Sequence, residues 1–350
     1  MKRLTIFILF FISIAFARVN FEQQSFDVAS FKDYDKLTEI CKAPAASSFW
    51  CDYLDSELNF ISTKSTDYFY SESGELLAVF IKQQKGKNFA TKDGGYNTSL
   101  DSKQNLIPIN ATAPAGAVLL DGEFIKGELV SSAWTQLNDT EFEGKFKLLI
   151  NGVEVDKTLT VSNVKNTVKV NIDAKRVSAG EAKNLQYVVS GIGKASPIIK
   201  IGQGETSSLN PVPTPVKNPS YISLQTANNK GDALILRPQA ADPELEAISL
   251  GNGVIAMQKP IGEVGSSLSM SLDEYHGKNE LVRYFQEGYK DLPGLFKPNI
   301  IGRLSLLVLQ ALLAIHSVVN SWGLAIIILT LLFRALIWPL INQQTKSMFA

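Results

Sequence analysis

Arg334 is a permanently charged side chain inside a long apolar run near the end of the 350-residue chain. The run covers residues 322–340, and as a helix it would be roughly 28 Å long, which matches the hydrocarbon core of a bilayer. An arginine at the centre of a membrane helix costs about 2.5–3.5 kcal/mol on insertion scales. Two interpretations follow: Arg334 snorkels to the nearer headgroups, or it faces a hydrated cavity within the membrane.

Aromatic residues mark the two ends of this predicted membrane helix. Trp322 and Trp338 are placed as interfacial tryptophans are, and Pro339 follows the second of them. Lys346 lies beyond the run. If the middle of the chain is exported, Trp322 is at the outer surface and Lys346 is inside, in agreement with the positive-inside rule. We therefore predict Trp322, Trp338 and Pro339 as helix anchors.

The two cysteines of the chain, Cys41 and Cys51, are candidates for a disulfide. An exported compartment permits the bond, and closing so short a loop would stabilise the fold by roughly 2–3 kcal/mol. The alternative is a pair of unpaired thiols. With only two histidines beside them, His276 and His316, the cysteines do not make a convincing metal site.

The sequence contains few candidates for catalytic residues. Asp273, Glu274 and His276 cluster and could serve as acid, base and proton shuttle. Because such polar clusters are common at surfaces, we interpret this one as a solvated turn after the last strand. The Gly-Gln-Gly motif at residues 202–204 is too weak to indicate a nucleotide site. We predict no catalytic residue, metal or cofactor, and the net charge of +0 gives no signal for nucleic acid.

The N-terminal residues 1–17 have the pattern of an export signal. Lys2 and Arg3 precede a short apolar stretch, and Ala-Phe-Ala at residues 15–17 fits a small-x-small cleavage site. A helix of about 14 residues reaches only about 21 Å, less than the hydrocarbon core near 30 Å. We favour a cleaved signal peptide, and the alternative is an uncleaved short anchor. In both, the chain that follows is exported.

The middle of the chain, from about residue 60 to residue 270, has the pattern of many short β-strands. Apolar and polar residues alternate, and Gly, Asn and Asp separate the runs, with Asn151-Gly152 as the sharpest hairpin signal. The clearest runs are residues 75–83, 146–155, 158–172, 185–192, 232–238 and 247–259. This spacing predicts an antiparallel β-sandwich. We take the Pro-rich residues 205–220 as a loop within it rather than a linker, because strand patterning resumes directly afterwards.

A second apolar segment, residues 295–320, precedes the membrane run. On a helical wheel a narrow polar stripe is formed by Asn299, Arg303, Gln310 and Ser317. Such a stripe indicates a helix lying in the membrane interface, with Arg303 near its start as a predicted interfacial anchor. The alternatives are a second spanning helix and a buried helix of the exported domain.

The C-terminal segment resembles the YidC family of membrane protein insertases. The motif W-G-x-x-I-I-I-L-T-x-x-x-R-x-x-x-x-P-L starts at Trp322, includes Arg334 and Pro339, and is followed by a polar Ser-Met pair. The preceding apolar helix resembles the interfacial helix of the family, and residues 275–285 resemble the end of its periplasmic domain. The resemblance is strong over about residues 271–350, whereas the β-rich middle agrees only in kind and position.

This resemblance implies a large periplasmic domain with a β-supersandwich fold, followed by an interfacial helix and transmembrane helices. It implies a bacterial inner-membrane protein, multi-pass in its full length, that helps to insert, fold and assemble membrane proteins. In the family a hydrophilic intramembrane groove contains the arginine that matches Arg334, which attracts the polar or acidic part of an incoming protein. The implied partners are nascent membrane proteins, the Sec translocon (SecYEG) and membrane lipids. No covalent step, nucleotide or metal is involved.

The resemblance also suggests domain boundaries. We expect a signal peptide or short anchor at 1–17, the periplasmic domain at 18–290, the amphipathic interfacial helix at 295–320, a core transmembrane helix at 322–341 and the start of a cytoplasmic region at 342–350. Two features depart from the family: the N-terminus looks more like a signal peptide than a first spanning helix, and further core helices are absent. We therefore expect a piece of a longer protein or one half of a split one.

Two other functions compete with the insertase. The chain could be a membrane-anchored periplasmic binding or sugar-processing protein, in which the sandwich acts and the helix only tethers it. It could also be a structural partner whose sandwich docks onto translocation machinery. Truncation before Asp291 would spare the activity of a tethered domain, whereas an insertase would depend on Arg334.

Overall fold

The computed structural model describes residues 24–27, 34–43, 48–81, 107, 109–191, 198–203, 206–209, 214–225, 232–296 and 299–348. Two compact units make up the chain: Met1–Asn279 with Leu292–Leu295, and Glu280–Asp291 with Phe296–Ala350. We call them the sandwich unit and the helical unit. The N-terminal segment predicted at residues 1–17 lies outside the described residues.

The described part of the sandwich unit contains 18 strands. The first nine are β1 (Gln24–Asp27), β2 (Glu57–Ser62), β3 (Thr66–Tyr70), β4 (Leu76–Ile81), β5 (Val118–Leu120), β6 (Glu128–Asn138), β7 (Glu141–Ile150), β8 (Val153–Ser162) and β9 (Thr167–Arg176). The others are β10 (Asn184–Ser190), β11 (Ile198–Gln203), β12 (Thr206–Leu209), β13 (Val216–Lys217), β14 (Tyr221–Gln225), β15 (Asp232–Pro238), β16 (Glu246–Gly251), β17 (Val254–Pro260) and β18 (Ser267–Lys278).

The strands form three antiparallel sheets. The large sheet has nine strands in the order β12-β11-β14-β15-β18-β9-β8-β7-β6. The middle sheet has five, in the order β13-β16-β17-β10-β5, and the small sheet has four, in the order β1-β2-β3-β4. Buried apolar residues of all three sheets belong to one core, so the sheets fold as one body.

Strand patterning explains the meander from β7 to β9. In β8 the buried positions alternate with more exposed ones, as a strand with one buried face requires. Asn151 and Gly152 join β7 to β8 with φ values of 43° and 77°, the left-handed pair of a type I′ hairpin turn. The run predicted at residues 158–172 is two strands, because the chain turns between Ser162 and Thr167.

Two strands of the small sheet are covered on both faces, since every residue of β3 and β4 is buried. Between β1 and β2 the chain forms helix α1 (Tyr34–Lys42) and a short 3-10 helix (Phe49–Asp52). A disulfide joins Cys41 to Cys51, with a Cα–Cα distance of 5.4 Å. It ties these two elements together beside the buried Trp50.

The helical unit contains α2 (Leu281–Glu287), α3 (Ile300–Val319) and α4 (Trp322–Met348). Two segments, Ile300–Val319 and Trp322–Pro339, are long and apolar enough to cross a membrane. Their large apolar side chains are mostly exposed rather than packed into a protein core. The predicted fold class, a mostly β domain followed by apolar helices, is confirmed.

Candidate functional site

Arg334 lies on α4, twelve residues or roughly 18 Å beyond Trp322. Leu, Ile and Ala dominate the helix around it, and the hydroxyl of Thr330 donates to the carbonyl of Ile326 at 2.7 Å. Thr330 thus satisfies its own polar group within the helix, as membrane helices require. The Arg334 side chain is exposed, and no described residue pairs with its guanidinium group.

The charges of the C-terminal segment have only one sign. Residues 296–350 contain no aspartate and no glutamate, and their cations are Lys297, Arg303, Arg334 and Lys346. The segment therefore cannot supply a carboxylate partner for Arg334. A counter-charge has to come from a lipid headgroup, another protein or another part of the protein.

Both ends of α3 are capped, and these caps fix where α3 begins and ends. The Asn299 side chain accepts from the amide of Gly302 at 2.7 Å, so this residue of the predicted polar stripe is an N-cap. Asn320 adopts a left-handed conformation as C-cap. Two residues later α4 starts at Trp322, whose ring stacks on His316 with the centroids 3.8 Å apart.

The other predicted anchors lie where the sequence indicates. Trp338 is exposed near the far end of the apolar part of α4, about 24 Å from Trp322 along the helix. Pro339 lies inside α4, which continues to Met348 although proline cannot donate the usual backbone hydrogen bond. Arg303 is exposed in the first turn of α3. Their role as membrane anchors stays a prediction.

The interpretation of Asp273, Glu274 and His276 as a solvated turn is wrong. All three belong to β18, and the side chains of Glu274 and His276 are on the buried face, with only 2% and 1% of the residue exposed. Asp273 lies on the opposite face and forms an ion pair with Arg237 at 2.9 Å. The misreading arose because β18 continues through this polar stretch to Lys278.

Glu274 is the centre of a buried hydrogen-bonded group. One carboxylate oxygen accepts from the hydroxyl of Tyr187 on β10, and the other hydrogen-bonds to Nε2 of His276. The His276 ring also packs edge-on against Tyr68 on β3, with centroids 5.8 Å apart. One carboxylate thereby links side chains from the large, middle and small sheets.

Lys157 is a second buried charge that sequence reasoning missed. Its ammonium group donates to the carbonyls of Gly74 and Gly116, both at 2.9 Å, and lies 5.4 Å from the centre of the Phe146 ring. Gly74 precedes Glu75, whose carboxylate accepts from Ser73 at 2.5 Å and from Ser71. The turn before β4 and the loop before β5 are thus held against β8 by one lysine.

Burial shifts the pKa values of this polar core. Desolvation lowers the pKa of Lys157, while the nearby carboxylates Glu75 and Glu274 act in the opposite direction. Desolvation also raises the pKa of Tyr187 and Tyr70, and the negative charge of Glu274 raises both further. These tyrosines therefore stay neutral in the folded protein at physiological pH.

The pattern of β8 contained a signal for Lys157. Alternate residues of this strand point inward, and the inward series is Val153, Val155, Lys157, Leu159 and Val161. A lysine in phase with four apolar residues is a candidate for a buried charge. Glu274 and His276 are likewise in phase with the buried Met270 and Leu272.

Fold and site together define a β-sandwich protein that carries two candidate membrane helices. No protein-family profile matches the chain. A curated relative, "Membrane protein insertase YidC" of Deinococcus radiodurans, is 31% identical over 219 residues, covering 61% of this chain and 49% of the relative. The predicted resemblance to the YidC family is confirmed, and two helices of the described chain are long and apolar enough to cross a membrane. The chain spans about half the length of this relative.

Similar solved structures are more distant. The α-galactosidase AgaA of Geobacillus stearothermophilus has a TM-score of 0.38 and 12% identity, over 64% of this chain and 41% of that protein. A putative aldose 1-epimerase from Escherichia coli K12 has a TM-score of 0.34 and 9% identity, over 63% of this chain and 99% of that protein. Similarities this weak carry no conclusion about the fold or the function of the chain.

Proposed function

We propose that this protein helps to insert, fold and assemble inner-membrane proteins, alone or together with the Sec translocon. The similarity to the YidC insertase of Deinococcus radiodurans supports this function. The observation that carries it is that Arg334 pairs with no described residue and lies in a segment, residues 296–350, without any acidic residue. A cation without a partner among the described residues is suited to bind an acidic or polar group of another molecule.

In this proposal Arg334 faces a hydrophilic groove within the membrane. A charge in such a low-dielectric site interacts more strongly than the same charge in water. Attraction between Arg334 and a polar client segment lowers the cost of bringing that segment partway across the bilayer. The apolar segments of the client then move into lipid, and no covalent step or cofactor is needed.

The proposed topology follows the charge distribution. The sandwich unit lies on the periplasmic side, Trp322 is at the outer surface, and Lys346 is inside. α3 lies in the membrane interface through its polar stripe, and α4 spans the bilayer as one helix of a multi-pass protein. Nascent membrane proteins, the Sec translocon and lipids are the proposed partners.

The sugar-processing alternative has no supporting observation. Its best candidate residues, Glu274 and His276, are buried and hydrogen-bonded to each other. A sugar would have no access to them in this structure. The docking alternative predicts that the sandwich, rather than Arg334, carries activity, and the following experiment separates it from the insertase.

Reconstituted full-length protein should be assayed for insertion of a single-span client with an acidic N-terminal tail. The variants are Arg334→Ala, Arg334→Lys and, as a matched arginine in the other long helix, Arg303→Ala. If the contact with the client contributes about 1 kcal/mol, Arg334→Ala lowers insertion about fivefold. Arg334→Lys keeps the charge and retains most of the activity, and Arg303→Ala, which removes a proposed interfacial anchor outside the groove, lowers insertion less than Arg334→Ala does.

A client whose acidic tail is neutralised provides the control for charge. It should be inserted at similar rates by wild type and by Arg334→Ala, because the interaction is already lost. Unchanged insertion of the acidic client by Arg334→Ala, with normal expression, would contradict the role of Arg334.

A further inference from the structure

Three turns from two sheets meet in one hydrogen-bonded group, which we call the sandwich tip. They are residues 63–65 between β2 and β3, 139–140 between β6 and β7, and 163–166 between β8 and β9. The side-chain oxygen of Asn163 accepts from the backbone amide of Lys64 at 2.7 Å. The backbone amide of Asn163 donates to the carbonyl of Thr140 at 2.7 Å. Asn166 donates to the hydroxyl of Thr66 at 3.1 Å. The tip is therefore one hydrogen-bonded surface rather than three independent loops.

The sandwich tip exposes apolar and basic side chains together. Val164 at its centre is 64% exposed, and Leu137 at the end of β6 is 49% exposed. Lys64 and Lys165 are both exposed, and neither forms an ion pair with a described residue. The opposing charge is the exposed Asp139 in the neighbouring turn.

A second carboxylate near the tip is less available. Glu141 is half-buried, and its side chain accepts from the amide group of Asn138 at 3.0 Å. The outward face of the tip is thus an aliphatic centre flanked by two lysines with one competing aspartate. This combination suits a surface that is anionic outside and apolar beneath.

Strand register shows which end of the large sheet carries the tip. β9 begins at Thr167 opposite Tyr275, so the turn before Thr167 is at the end of the sheet where β18 finishes. The same end is reached by the last strand residues of β14, because Gln225 pairs with Ala233 at the start of β15.

The chain leaves the sandwich unit from this same end. Gln225 and Lys200 both donate to the carbonyl of Leu295, at 3.1 Å each, and Tyr221 donates to the carbonyl of Pro293 at 2.7 Å. These contacts hold the last segment of the unit on the large sheet. Only residues 296–299 then precede the first candidate membrane helix.

We propose that the sandwich tip contacts the anionic phospholipid headgroups of the bilayer that holds the helices, with Val164 entering the headgroup region and Lys64 and Lys165 pairing with lipid phosphates. Each lysine near an anionic bilayer strengthens the contact roughly fivefold. The hydrogen-bonded turns lower the cost of ordering the backbone that carries these groups. The proposal rests on the membrane attachment of the chain and needs no insertase activity.

The test uses full-length protein in nanodiscs with a single fluorophore attached at Val164→Cys. The native cysteines are joined to each other and do not compete for the label. Val264→Cys is the matched control, because Val264 is 55% exposed in the turn before β18, at the opposite end of the large sheet. Quenching by lipids with a nitroxide headgroup is measured in phosphatidylcholine with and without phosphatidylglycerol.

The expected result is strong quenching at residue 164 that increases with phosphatidylglycerol, and little quenching at residue 264. Lys64→Gln with Lys165→Gln should weaken the contact equilibrium by roughly 25-fold, since each lysine contributes roughly fivefold. Asp139→Asn should strengthen the contact with the bilayer, because the substitution removes the competing negative charge.

Equal quenching at residues 164 and 264, or quenching at 164 that ignores lipid charge and the lysine substitutions, overturns the proposal. So does a label at 164 that is unquenched in nanodiscs and shielded only in native membranes, which would assign the tip to a protein partner. Insertion activity is assayed separately on the same samples. Loss of the proposed insertase function and loss of the lipid contact are therefore distinguishable.

Discussion

The surroundings of Lys157 and Glu274 in the sandwich unit differ from those of Arg334 in the helical unit. In the sandwich, the buried Lys157 is bonded to two backbone carbonyls, and Glu274 is bonded to a tyrosine and a histidine. In the helical unit, Arg334 is exposed on an apolar helix without a described partner. Charges of the first kind serve the fold, and a charge of the second kind is available to another molecule.

This difference leads to different expectations for substitution. Removing a buried charge leaves its partners desolvated and unpaired, which lowers the stability of the folded state. Removing Arg334 leaves no unpaired group behind in the described structure, so the effect should appear in activity rather than in stability. The following predictions are ordered from the largest expected effect to the smallest.

Lys157→Met should destabilise the sandwich by about 3–5 kcal/mol. The substitution fits the volume of the lysine stem, but it leaves the carbonyls of Gly74 and Gly116 without a donor and the carboxylates Glu75 and Glu274 without a cation. Urea unfolding of the full-length protein in detergent, followed by near-ultraviolet circular dichroism, measures the change. Lys145→Met, an exposed lysine of neighbouring β7, is the control, and equal loss in both variants would contradict a special role of the buried charge.

Replacing Cys41 and Cys51 together by serine should cost about 2–3 kcal/mol, because the short disulfide loop limits the unfolded chain. The same unfolding measurement applies, and reduction of the wild type with dithiothreitol should reproduce the loss. Insertion at temperatures well below the unfolding transition should be unchanged, since the disulfide is remote in sequence from the helical unit. If dithiothreitol leaves the unfolding curve of the wild type unchanged, this prediction is contradicted.

Stability should fall as the pH rises above about 10. Burial raises the pKa of Tyr70 and Tyr187 in the fold, whereas in the unfolded chain these phenols ionise from about pH 10. The unfolded state then binds fewer protons, and the free energy of unfolding falls by about 1.4 kcal/mol per pH unit for each such tyrosine. Tyr70→Phe should reduce the fall in the free energy of unfolding by about 1.4 kcal/mol per pH unit. An unchanged slope would show that the fold does not raise the pKa of Tyr70.

Arg334→Ala should change the stability of the sandwich by no more than about 0.5 kcal/mol. No described side chain depends on Arg334, so unfolding by urea should follow the wild-type curve even where insertion is impaired. A loss comparable to that of Lys157→Met would remove the distinction between the two units.

Much of the fold could be predicted from local pattern. Alternation of apolar and polar residues predicted the strands, and Asn151-Gly152 predicted a hairpin that the structure confirms. Local pattern could not reveal that Glu274 meets Tyr187, because the two are 87 residues apart and their contact depends on how the sheets pack. Local pattern alone therefore indicates a surface turn for the polar stretch around Glu274, whereas the sheet packing buries it.

The candidate membrane site could be predicted from the sequence for a different reason. An arginine in an apolar helix is conspicuous without knowledge of any tertiary contact, and so are the tryptophans that flank it. What the sequence could not supply is the environment of Arg334. That environment depends on groups outside the segment, since residues 296–350 contain no acidic side chain.

The most direct measurement places a photo-crosslinking amino acid at residue 331, one turn before Arg334, in full-length protein that keeps Arg334, while a ribosome-stalled client is being inserted. Leu331 is exposed and lies about 60° around the helix from Arg334, and the matched position Leu336 is exposed and lies about 140° around the helix from Leu331. A groove that binds clients predicts crosslinks from residue 331 to the polar flank of the client, and from residue 336 mainly to lipid. Crosslinks from both positions only to lipid would show that Arg334 is a snorkelling anchor and contradict its role in insertion.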